Sequence, residues 1–115
     1  MSRIEQTIIS NFFYNEEYTR RVLPFVKEEY FNNRTEAILF KEVFQFVEKY
    51  NNLPTKEAIS IELNTKRDIN EEEFKLIKNY IGTIESTEVD TEWLVDTTEK
   101  FCKDKAIYNA IVDGI

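Results

Sequence analysis

The chain contains no histidine. That absence leaves no side chain whose ordinary titration spans neutral pH, no Ser-His-Asp triad and no imidazole ligand for a metal. There is one cysteine, Cys102, so an internal disulfide framework is excluded and a thiolate-based metal site has too few ligands. Beside Phe101 it reads as a small buried hydrophobe, and a lone thiol fits a reducing, cytoplasmic setting. Gly82 and Gly114 are the only glycines and stand far apart. A phosphate-cradling loop needs clustered glycines followed by Lys and Ser or Thr, so this chain is expected to hold no nucleotide that way. Prolines also number two, and an all-β fold would need more turn residues than these.

Long apolar runs are missing as well. None approaches the roughly 18 residues that a membrane-crossing helix requires. From Met1 to Phe13 the apolar residues are interrupted by Glu5, Gln6 and Thr7, which rules out a signal-peptide core. Asn33-Arg34-Thr35 has the form of a glycosylation sequon, but no secretion signal accompanies it. Positive charge is the scarcer sign: 15 basic residues face 22 acidic ones, for a net charge of −7. An acidic surface repels phosphate backbones, so direct nucleic-acid binding is not expected. The local basic clusters, Arg20-Arg21 and Lys100, Lys103 and Lys105, read as solvated helix faces.

What the chain does have is material for a packed core. Of its 115 residues 42% are hydrophobic, with nine Phe and six Tyr. One domain of this length buries roughly two-thirds of its unfolded surface. The spacing predicts helices throughout. Ser2-Arg3-Ile4-Glu5 has the form of a capping box, followed by Ile4, Ile8, Ile9, Phe12 and Phe13 on one stripe. Asn15 is expected to cap a short helix carrying Tyr18 and Val22, which Pro24 ends. Thr35 is read as the cap of a third helix with Ile38, Phe40, Val43, Phe44, Val47 and Tyr50 inward. Thr55 caps a fourth with Ile59 and Leu63, and Asn70 with Glu73 boxes the start of a fifth carrying Ile77, Ile81 and Ile84. Asp90 is the expected cap of the last helix, which carries Leu94, Thr98, Phe101, Tyr108, Ile111 and Val112.

These signals predict an all-α fold, a compact helical bundle over about residues 1–68 followed by a long αα-hairpin over about 69–115. Ala106, Ile107, Ala110 and Ile111 widen the apolar surface of the last helix near its end. Such width on a protruding hairpin suits a partner surface, and packing on the bundle is the other use of the same stripe. The helix runs on to the last residues without a tail, which predicts that the chain is the front of a larger protein.

Carboxylates offer little chemistry. Asp68-Ile69-Asn70-Glu71-Glu72 opens like a calcium loop, but Glu73 stands where Gly is needed and Asn79 where Glu is needed. Glu16-Glu17, Glu28-Glu29 and Glu71-Glu72-Glu73 are adjacent residues, which do not face one another on a helix. No catalytic, cofactor-binding or metal residue is assigned, and the chain is expected not to be an enzyme by itself.

Three stretches carry a family resemblance: VLPFVKEEYF (Val22 to Phe31), NNLPTKEAISIEL (Asn51 to Leu63) and WLVDTTEKFCKDKAIYNA (Trp93 to Ala110). In their order and spacing the chain resembles the N-terminal domain of the replicative helicases of T-even-type phages, relatives of the bacterial DnaB family. The carrying features are Pro24 with Glu29-Tyr30-Phe31, Pro54-Thr55 with Ala58, and Trp93-Leu94-Val95 with Thr98-Glu99-Lys100. The looser pattern of Glu5, Ile8 and Ile9, then Leu39-Phe40 before Val47, fits as well.

The resemblance implies a collar domain, a bundle with a helical hairpin, set above a ring of ATPase domains and pairing through its hairpins. It implies self-association as a dimer or hexamer, with a primase and a helicase loader as protein partners. ATP and magnesium are expected only in a motor domain that these residues do not include. The candidate interface is Ile77, Ile81, Leu94, Phe101, Tyr108 and Ile111 on the two hairpin helices. A free-standing acidic helical adaptor that binds a host protein is the alternative that the composition also suits.

Overall fold

A computed structural model describes residues 3–114. The described residues form α1 (Ile4–Tyr14), α2 (Glu16–Val22), a 3₁₀ turn (Glu28–Tyr30), α3 (Arg34–Tyr50), α4 (Lys56–Asn64), α5 (Glu71–Gly82) and α6 (Thr91–Asp113). No strand occurs among them, and the all-α class holds.

Short polar side chains start most of the helices by accepting a backbone N–H that the helix leaves free. Asn15 accepts from Tyr18, Thr55 from Ala58 and Asp90 from Trp93. At α5 both arms of the capping box form: Asn70 accepts from the Glu73 amide, and Glu73 accepts from the Asn70 amide. Thr35 does not cap α3. Asn33 does, because its backbone is extended and its Oδ1 lies 3.2 Å from the Glu36 amide, while Thr35 is already inside the first turn. The box read at Ser2 lies outside the described residues. α2 stops at Val22, and a turn through Pro24 follows. α3 ends on Asn51 in the left-handed conformation, φ 54°, which Asn tolerates better than most residues. Arg20 clasps that corner, donating to the Oδ1 and the carbonyl oxygen of Asn51 at 2.9 Å each.

One core runs through the molecule. Ile8, Ile9 and Phe12 of α1 meet Tyr18 and Val22 of α2, Leu39 and Val43 of α3, Ile59 of α4, Ile77 of α5 and Leu94 of α6, all buried. Rings are central to it, with Phe12 between Tyr18 and Phe40, at 5.8 Å from each.

The expected long αα-hairpin is not formed. α5 packs on α3 and α4, whereas α6 packs on α2, α1 and the 3₁₀ turn. The connection between them explains this. Ile84, in the stretch that follows α5, is itself buried in the core, and Lys56 of α4 donates to its carbonyl oxygen at 2.8 Å. A connection pinned into the core carries the chain across the molecule instead of reversing it on the spot. The result measures 37 × 34 × 31 Å, with no protruding arm of two helices.

Candidate functional site

α6 divides into a docked half and a free half. Asp90 caps its start, and Arg21 of α2 bridges Glu17 and Glu92. The Arg21 guanidinium holds the Glu92 carboxyl below its ordinary range. Leu94, Val95, Thr98 and Cys102 then face inward at the three- and four-residue steps of one helix face. The hydroxyls of Tyr18 and Thr98, both fully buried, share a hydrogen bond at 2.7 Å. Burial raises the Tyr18 pKa above the ordinary phenol value, and it pushes the Cys102 thiol up to about 11. Phe101 lies half-buried with its ring 6.0 Å from that of Phe31.

After Cys102 no residue of α6 is buried. Asn109 makes a contact back to the body, donating to the carbonyl oxygen of Glu29 at 3.3 Å. Ile107, Tyr108, Ile111 and Val112 remain 53–61% exposed. Ile107 with Ile111, and Tyr108 with Val112, are spaced by four, so the four side chains form two adjacent rows on one side of the helix. Large apolar side chains exposed together on a rigid element make a surface suited to another protein.

The six residues named from sequence separate accordingly. Ile77, Ile81 and Leu94 are in the chain's own core and present almost no accessible surface, because α5 and α6 turn those faces toward α1, α2, α3 and α4 instead of away from the body. Phe101 sits at the edge of the core. Tyr108 and Ile111 lie on the free half, 60% and 58% exposed. The structure therefore brings Tyr108 and Ile111 together and leaves the α5 residues elsewhere. It adds Ile107 and Val112 beside them and an exposed Trp93 near the start of the same helix. The four-residue repeats in IYNAIV were the available signal, but the helix pattern alone does not say where the body ends.

The outer surface of α6 is charged between these apolar ends. Lys103 pairs with Glu99 at 3.3 Å and Lys100 with Asp104 at 3.5 Å, all exposed. Among the described residues no three acidic or thiol side chains are grouped to hold a metal ion, and no helix is long and apolar enough to cross a membrane. What this arrangement offers is an exposed apolar surface on the end of α6.

No protein-family model matches the chain. It is similar to the DnaB-like replicative helicase of Enterobacteria phage T4, with 28% identity over 105 residues. The match takes in 91% of this chain and 22% of that helicase, so the chain spans about a fifth of the length of the curated relative it matches. The resemblance read from the three sequence stretches stands: the chain is similar to a segment of that DnaB-like replicative helicase.

Proposed function

We propose that this chain is a non-catalytic assembly and interaction domain at the N-terminal end of a replicative DNA helicase. The carrying observation is the similarity that covers nearly all of this chain within about a fifth of a helicase. Such a relation fits a module that accompanies a motor and is not one. The residue inventory supports the same reading, since a phosphate-cradling loop and a histidine base have no residues here to form them. ATP and magnesium would be handled by a separate motor domain.

The domain works by contact. Its free α6 half, with Ile107, Tyr108, Ile111 and Val112, serves self-association in a ring and reception of a primase or a loader. An individually weak pairwise contact suffices there, because six copies held in one ring raise the effective concentration of each contact.

The test is to read the parent reading frame past codon 115. A G-x-x-x-x-G-K-[ST] loop downstream in the same frame, in a protein whose ATPase rings lose their primase response when Tyr108 and Ile111 carry charges, is the expected result. A stop codon directly after Ile115 would refute the helicase reading and leave the acidic adaptor.

A further inference from the structure

α3 carries two buried carboxylates, and they are not served alike. Glu36 accepts from the Tyr80 hydroxyl at 2.7 Å and from the Arg3 guanidinium at 2.6 Å. Glu42, less than two turns further along the helix and only 6% exposed, accepts no hydrogen bond from the described residues. Nζ of Lys66 stands 3.6 Å from its Oε2, whereas a charge-assisted hydrogen bond is about 2.7–2.9 Å long. Other bases nearby do not fill the gap. Arg34 is taken by Glu73, and Lys41 is exposed and acts on Glu42 only at a distance. Burial raises the Glu42 pKa more than Lys66 lowers it, so the ionised carboxylate is left short of partners.

Glu42 lines a cleft of about 390 Å³, walled by α3 and by the connection from α4 to α5. Among the described residues no buried polar side-chain atom lacks a hydrogen-bond partner. The Glu42 oxygens, which have none, are therefore not sealed in the core and reach the open space of the cleft. Ile38 and Ile69, both partly buried against the core, line it as well, and so does the exposed Asp68. A carboxylate drawn inside a fold without hydrogen bonds costs stability, and stability is commonly given up in this way where a site must bind.

We propose that this cleft receives an arginine side chain of a partner protein, whose guanidinium takes both oxygens of Glu42 in place of the Lys66 ammonium. A planar fork of N–H donors matches two carboxylate oxygens that face one space, which a single ammonium does not. The aliphatic stem of the arginine lies along Ile38 and Ile69, and Asp68 gives a second acceptor. Lys66 leaves without disturbing the fold: its amide is held by the Leu63 carbonyl oxygen at 3.2 Å, while its side chain is already 36% exposed. The net charge of −7 draws a basic partner to the surface. Glu28 and Asp68, which also line the cleft, are exposed, so the backbone of the entering residue stays outside, as a residue within a protein chain requires. The site uses none of the four exposed apolar residues of α6.

N-acetylarginine amide is the probe, and the amide resonances of the isotope-labelled full chain are the readout. Saturating shifts are expected around Glu42 and over residues 65–70. N-acetyllysine amide should bind more weakly, and N-acetylcitrulline amide, which keeps the shape and loses the charge, should not bind. Glu42→Gln should weaken the arginine probe on the order of tenfold or more. Lys66→Met should tighten it severalfold even though it lowers the stability of the chain, because the competing ammonium is gone. Damage to the fold alone would weaken binding, and circular dichroism confirms the fold of both variants. The absence of a saturable shift, equal binding of the citrulline probe, or unchanged binding in Glu42→Gln would overturn the site. Lysine binding as well as arginine would overturn the choice of guanidinium. Free arginine binding much more tightly than the capped residue would make this a site for the free amino acid and overturn the protein partner. None of these outcomes touches the relation to the helicase, which the reading frame decides.

Discussion

The hydroxyl of Tyr80 donates to Oε2 of Glu36 across 2.7 Å, and Glu36 is a carboxylate with no exposed surface. Arg3 supplies the balancing charge, its Nη2 lying 2.6 Å from the same oxygen and its Nη1 3.4 Å from Oε1. Three segments distant in sequence, the lead-in to α1, the first turn of α3 and the end of α5, are joined at one buried acid. Burial and the neighbouring carboxylate hold the Tyr80 phenol above its ordinary pKa, and the Glu36 hydrogen bond raises Arg3.

Tyr80→Phe should therefore cost about 1.5–3 kcal/mol, the usual worth of a hydrogen bond to a charged group. Urea unfolding measures it. The pair Tyr80→Phe with Glu36→Gln should cost less than the sum of the single changes, because both remove one interaction. Strictly additive costs would show that the two residues act separately.

Glu42 is the other buried acid, 3.6 Å from Lys66. Desolvation raises its pKa from the ordinary 4.5, and Lys66 only partly offsets this. A raised folded-state pKa favours the neutral form in the folded chain. Its stabilising contribution is present below about 4.5 and is lost as pH rises through the folded value. Glu42→Gln should raise the unfolding temperature at pH 7 relative to wild type, and the gain should vanish at pH 4. Lys66→Met should lower it at pH 7, since the charge then loses its partner. Glu73 and Glu92, both held below their ordinary range by arginines, contribute in the opposite sense, above about 4.5. The comparison is accordingly between variant and wild type at each pH.

Truncation separates the core from the free surface. Ile77→Ala and Leu94→Ala remove fully buried side chains and should each cost about 2–5 kcal/mol. Ile107→Ser and Ile111→Ser, on the free half, should change monomer stability by about 0.5 kcal/mol or less. Denaturant midpoints read at low concentration decide this. A large loss at Ile107 would mean that the end of α6 is docked.

The Cys102 thiol, buried and raised to about 11, should be almost wholly protonated at pH 8. A disulfide reagent should label it slowly in the folded chain and quickly in urea, because the thiolate is the reactive species. Fast labelling in buffer would show that α6 opens readily at its middle.

Local chemistry was readable from the residues alone. The scarcity of glycine and proline pointed to helices, and the absence of histidine and of clustered glycines left no residues for a histidine base or a phosphate-cradling loop. Asn15, Thr55, Asn70 and Asp90 announced helix starts because capping depends on a side chain and an amide three residues away. At α3 two candidate caps lay close together, and only the backbone geometry at Asn33 separated it from Thr35. Tertiary structure alone decided where each helix packs. Leu94 and Ile111 carry similar apolar side chains on the same helix, yet Leu94 is in the core and Ile111 is in solvent. The difference lies in the body beneath them: α2 lies under the first half of α6, while the second half touches the 3₁₀ turn through Asn109 and Glu29 and leaves Ile111 uncovered. Helical periodicity records that a face is apolar, and only the path of the rest of the chain determines whether that face is covered.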